Sequence, residues 1–195
     1  FPPAPRPDPR ARAQVAARHP ALGGDGPLLL MPGRGTRLKG HRDAIGLLAT
    51  LRGQGVDARL WMPGARQPAR AAYVRELEDA AQVAAVADAV AITEATDAMA
   101  QAYAASDLVL QLSRKPEAFG RTVVEALAVG RPVLGWDHGG VGELLRELQP
   151  EGRAAPFDPQ ALAQRALALL RQPSAPPATM PYTLQGMQQA TMDLY

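Results

Sequence analysis

Two glutamates, Glu117 and Glu125, stand with seven residues between them, around a Phe119-Gly120 step. An ionised carboxylate only accepts hydrogen bonds, so such a pair suits the hydroxyls of a ligand. Between them, Gly120-Arg121-Thr122 opens a segment of helical pattern. The free N–H groups of a helix start favour an anion. A phosphate there would repel both carboxylates unless they serve another part of the same molecule. The constellation therefore reads as a site for phosphate plus polyol, of which a nucleotide-sugar is the plain example. A second charged group, Arg34, Arg37 and Lys39, lies in the glycine-flanked loop 32–41. A guanidinium fork and an ammonium together suit a diphosphate. The same composition also suits a solvated basic turn. The loop has neither the Gly-Lys-Ser/Thr of a Walker loop nor the third glycine of the dinucleotide fingerprint.

These residues need strand ends to hang from. Leu108-Val109-Leu110-Gln111-Leu112 reads as a buried strand ahead of Glu117. Gly120 suits a sharp turn or the close approach of a ligand. Gly130 sits where a helix takes its left-handed cap, and Pro132 forbids continuation. Val133-Leu134-Gly135-Trp136 reads as the next strand. Strand, loop, helix and strand in this order make a parallel crossover unit. The pattern repeats along the chain. A strand over 27–31 precedes the basic loop, and Ile45, Leu48 and Leu51 line the helix after it. Strand two is expected over 57–62, a helix over 68–84 and strand three over 86–92. The loop Thr93-Glu94-Ala95-Thr96-Asp97 follows, with Thr96 or Asp97 expected to cap a short helix. A glycine-rich stretch over 137–143 opens the next helix, a short last strand is expected over 152–157, and Asp158-Pro159 starts a last helix. The expected fold is α/β, a Rossmann-like doubly wound parallel sheet of order 3-2-1-4-5-6, with ligands at the carboxyl ends of the strands. Residues 1–26 read as linker and short helix, with Asp8 as cap and Pro9 first. Residues 27–172 form the Rossmann-like domain. Residues 173–195 read as a Pro-rich linker and a loosely amphipathic helix with Leu184, Met187 and Met192.

Glu-Ala-Phe-Gly-Arg-Thr-Val-Val-Glu-Ala-Leu-Ala-Val-Gly-Arg-Pro-Val, from Glu117 to Val133, resembles the signature of the retaining glycosyltransferases of the GT-B fold, family 4 (group 1). The Gly-Arg, short gap and Lys-Gly pattern at Gly33-Arg34 and Lys39-Gly40 resembles the same family. The resemblance covers most of residues 33–170 and implies the C-terminal, donor-binding half of such an enzyme. It implies that Gly33, Arg34 and Lys39 meet the donor pyrophosphate. Glu117 would contact sugar hydroxyls, Glu125 the ribose, and the backbone from Phe119 through Gly120 and Arg121 to Thr122 the pyrophosphate and sugar. Glu117, Arg34 and Lys39 would carry catalysis. The implied reaction moves a hexosyl group from a nucleoside diphosphate sugar, UDP- or GDP-linked, to an acceptor, in glycan, lipopolysaccharide or glycolipid synthesis. No cofactor and no essential metal are implied. The acceptor-binding N-terminal half lies outside this sequence, so the piece alone is expected not to turn over. Two alternatives share these features: a GT-B-like nucleotide-sugar epimerase, and a nucleotide-sugar-binding domain without activity.

Bulk properties narrow the classes. The chain has 195 residues and a net charge of +2, which argues against a nucleic-acid surface. It has no cysteine, which excludes disulfides and thiolate metal sites. No apolar run reaches the roughly 20 residues that span a bilayer. The start lacks both the pattern of a signal peptide and an initiator Met, so a piece of a longer cytoplasmic protein is expected. For that protein, peripheral association with the inner membrane face is left open. His138 tempts as a base, but a lone loop histidine is the expectation. Thr93-Glu94-Ala95-Thr96 departs from the apolar residue and glycine usual in the resembled family near the nucleobase, so base and sugar stay open.

Overall fold

The computed structural model describes residues 7–178 and 180–182. Six strands form one parallel sheet: β1 Leu28–Leu30, β2 Arg59–Pro63, β3 Val90–Thr93, β4 Leu108–Gln111, β5 Val133–Trp136 and β6 Arg153–Ala154. Their order is β3-β2-β1-β4-β5-β6, as expected. Leu29 faces both Leu60 and Leu108, and Val109 faces Val133. Both faces of the sheet are covered, which is why the central strands read as continuous apolar runs. Successive side chains point to opposite faces. Leu29 joins a core with α2 (His41–Gly53), α3 (Ala71–Val83) and α7 (Pro159–Arg171). Leu28 and Leu30 join the other, with α1 (Pro9–Arg18), α4 (Met99–Ala105), α5 (Arg121–Ala128) and α6 (Gly139–Leu148). No helix among the described residues is long and apolar enough to cross a membrane.

Helix starts follow the local chemistry. Asp8 accepts from Arg10 N at 2.8 Å, and Asp158 from Gln160 N at 2.9 Å and Ala161 N at 3.0 Å. Each caps a helix whose first residue is proline, where the missing N–H costs nothing. Arg12 ties α1 down by donating to Gly26 O at 2.7 Å and pairing with Asp107 at 3.3 Å.

Four expectations need correction. Strand three begins later: Ala85 takes a left-handed φ of 54° and residues Ala87–Ala89 form a 3-10 turn before β3. Val86 and Ala89 are buried there as loop residues, so their apolar character reports packing rather than a strand. The helix expected over 68–84 is a 3-10 turn, Pro68–Arg70, followed by α3. Neither Thr96 nor Asp97 caps α4: its N-cap is Ala98, and Thr96 Oγ1 takes the Ala98 N–H at 3.1 Å in a turn before the helix. The last strand has two residues, and Phe157 leaves it with a left-handed φ of 62°. The helix expected toward the C-terminus lies outside the described residues.

Candidate functional site

The carboxyl ends of β1, β2, β3 and β4 surround two adjoining cavities. One, of about 430 Å³, is lined by Gly33, Arg34, Lys39, Thr122 and Glu125, and also by Thr96, Tyr103 and Arg121. The other, of about 240 Å³, is lined by Arg34, Lys39, Ser113 and Glu117, together with Arg70 and Lys115. Arg34 and Lys39 line both. The two carboxylates thus sit in separate cavities, with the same two cations between them.

Glu117 is held from three sides. Its carboxylate accepts from Gln111 Nε2 at 2.9 Å, from Ser113 Oγ at 2.6 Å, and from Lys39 Nζ. Gln111 and Ser113 are buried, while Lys39 and Glu117 are each about a quarter exposed, at 29% and 23%. The backbone is held as well. Glu117 O accepts from Gly140 N at 2.7 Å. Gly139 has a φ of 55°, and a Cβ on Gly140 would stand 2.5 Å from Ala118 O. The glycine pair therefore lets the start of α6 press onto this loop, which side chains there would prevent. His138 Nε2 donates to Ser113 O at 2.8 Å. A carbonyl can only accept, so this nitrogen carries the proton and the ring supports the loop.

Lys39 reaches Glu117 through an equally local device. Arg37–Lys39 form a 3-10 turn whose Leu38 O accepts from Arg114 N at 2.7 Å. Gly40 follows with a φ of 80°, and a Cβ there would lie 2.0 Å from Leu112 O. Only a glycine lets the turn lie on the end of β4. Next in sequence, His41 is fully buried, its Nδ1 3.4 Å from the Tyr73 hydroxyl. Burial lowers its pKa to about 4, with the Lys39 charge adding to the effect.

In the larger cavity, Tyr103 OH donates to Glu125 Oε2 at 2.8 Å, and Arg121 Nε lies 3.4 Å from Glu125 Oε1. Burial and the neighbouring carboxylate raise the Tyr103 pKa, so the hydroxyl keeps its proton. No side chain caps α5, which leaves its first N–H groups without a side-chain acceptor, and Arg121 and Thr122 line this cavity. Phe119 and Gly120 line neither cavity. Phe119 packs edge-on against Tyr182, with ring centroids 5.7 Å apart. Gly120 has an ordinary φ of −99°; what it provides is room, since a Cβ would come within 3.2 Å of Val141 and Leu144 on α6. Arg37 pairs with Glu76 and lines neither cavity.

Sequence reasoning missed Tyr103, Gln111 and Ser113. Gln111 had a signal, a lone amide at the end of a buried apolar strand, where burial demands a partner. Tyr103 had none, because its partner Glu125 lies 22 residues away.

The family model for glycosyl transferases group 1 matches residues 16–182. No curated protein matches the chain. Among solved structures, a glycosyltransferase from Rickettsia africae superposes with a TM-score of 0.82 at 20% identity, covering 96% of this chain and 52% of its own. Anabaena Alr3699/HepE, in complex with UDP and glucose, gives 0.76 at 22% identity over 97% and 53%. Sucrose-phosphate synthase from Thermosynechococcus elongatus gives 0.76 at 26% identity over 97% and 49%. The chain spans about half the length of these proteins, and its Rossmann-like sheet matches their GT-B fold.

Proposed function

This chain belongs to the glycosyl transferases group 1 family, and from that premise we propose that it is the donor-binding half of a retaining, family 4 hexosyltransferase. The observation that carries the reading is the pair of cavities joined at Arg34 and Lys39. A diphosphate at the junction would meet a guanidinium, an ammonium and the open start of α5. Its nucleoside would extend toward Glu125, whose free lone pairs accept from the ribose hydroxyls. Its sugar would extend toward Glu117. Anabaena HepE was solved with UDP and glucose, ligands of this chemical class.

In the proposed reaction, the bond between the anomeric carbon and the diphosphate oxygen breaks while the oxygen of an acceptor hydroxyl bonds to that carbon on the same face and its proton passes to the leaving diphosphate. Charge grows on the leaving diphosphate. Arg34, Lys39 and the α5 N–H groups would lie where that charge develops and would stabilise it more than the ground state. These groups supply the positive field, and we propose that transfer needs no bound metal. The acceptor would be held by a second half of the protein, without which this domain binds donor but does not transfer. Glycan, lipopolysaccharide or glycolipid synthesis is the proposed setting, on the cytoplasmic side. Calorimetric titration of the chain with nucleoside diphosphates and their sugars tests the reading. Saturable binding of a diphosphate, lost in Arg34→Ala and Lys39→Ala together, supports it; wild-type affinity in that double variant rejects it.

A further inference from the structure

The smaller cavity carries more positive charge than the proposed diphosphate uses. Three nearby cations are already neutralised. Arg37 pairs with Glu76, Lys39 with Glu117, and Arg114 with Asp43 through bonds of 2.9 and 2.6 Å. Arg34, Arg70 and Lys115 pair with no carboxylate among the described residues, and all three line this one cavity. Arg34 is shared with the larger cavity, where the diphosphate would lie; Arg70 and Lys115 are not. They come from different elements, the 3-10 turn before α3 and the loop carrying Glu117. A neutral sugar over Glu117 would need hydroxyl acceptors and would leave both cations without a partner.

We infer that the smaller cavity receives a second anionic group, a carboxylate or phosphate ester, held by Arg70 and Lys115 beside Glu117. The group is carried either by the donor sugar, as in a uronic acid, or by the acceptor. The inference rests on the donor-binding reading above for the identity of the neighbouring ligand, and on the unpaired cations for its own chemistry.

The test titrates the 195-residue chain and its Arg70→Gln/Lys115→Gln variant with three ligands of one base: the nucleoside diphosphate, its neutral hexose conjugate and its uronic acid conjugate. Both substitutions fall on exposed side chains, so folding is expected to be retained. If the sugar carries the anion, the uronate binds about tenfold or more tighter than the hexose, and the variant removes that advantage while its diphosphate affinity stays at wild type. If the acceptor carries it, the two conjugates bind alike. Inorganic phosphate then binds the diphosphate-saturated wild type and not the variant. Equal binding of both conjugates, with phosphate binding absent or unaffected by the variant, overturns the inference. Should the diphosphate itself fail to bind wild type, the donor-binding reading fails instead, and phosphate titrated alone against both proteins still decides this one.

Discussion

Replacing Glu117 by alanine separates two demands on one side chain. The structure ties its carboxylate to Gln111 and Ser113, both at most 4% exposed, and to Lys39. Removing it leaves two buried donors without partners, each worth about 1–3 kcal/mol. Water entering from the adjoining cavity recovers part of that cost, and the partly exposed Lys39 pair adds only about 0–1 kcal/mol. A net destabilisation of about 2–4 kcal/mol follows, or a fall in Tm of roughly 5–15 °C for a domain of this size. Loss of a helix cap alone would cost about 1 kcal/mol, and α5 has no such cap to lose. Diphosphate affinity should stay within about threefold of wild type, because the charge removed faces the smaller cavity and Lys39 is freed. The extra affinity of a sugar conjugate over the bare diphosphate should disappear. In a longer protein that includes the acceptor half, transfer should fall by about 10² or more. Calorimetry and thermal unfolding on the same preparation read both quantities. A Tm within about 3 °C of wild type would refute the polar network; a tenfold loss of bare diphosphate binding would refute the placement of Glu117 on the sugar side.

Arg34→Ala should weaken nucleoside diphosphate binding by about 1.5–3 kcal/mol, read by titration, through loss of a charge-assisted contact. Glu125→Ala should remove the preference for ribose, so that the normal and 2′,3′-dideoxy diphosphates bind equally. Tyr103→Phe should weaken the ribose form by about three- to tenfold and leave the dideoxy form unchanged, because the hydroxyl acts only by orienting Glu125. His41 gives a pH signature. Its folded pKa of about 4 lies below the ordinary 6.5, so the unfolded chain takes up the proton first as pH falls. Stability is complete above pH 6.5 and declines toward pH 4 by about 3 kcal/mol. Denaturant unfolding across that range should show the decline, and His41→Gln should flatten it.

Much of the site was legible because its parts are local. Arg34 and Lys39 flank a short loop after a strand, and Glu117 and Glu125 bracket one helix start, so the element pattern placed them near strand ends, while their selection as one site came from the family resemblance. The parallel pairing was legible because alternating strands and helices make crossover units, and the strand order followed by analogy with the doubly wound class. What could not be read was long-range. Lys39 and Glu117 are 78 residues apart, and no local pattern couples them. The boundaries of β3 failed because Val86 and Ala89 are apolar for the sake of the core, with Ala85 turning the chain just before them. Gly120 was legible as necessary but not for its reason, since the space it leaves is taken by Val141 and Leu144 from a helix whose packing is set by the sheet.

The grip on residue 117 has a thermodynamic corollary. Its carbonyl is fixed by Gly140, its carboxylate by Ser113, Gln111 and Lys39, and the preceding turn by His138. A loop ordered in this way before any ligand arrives does not charge the ordering entropy to the binding step. Association should then be a single bimolecular phase without a slow isomerisation after it. The heat-capacity change should reflect only the surface covered by the ligand, not the folding of a segment around it.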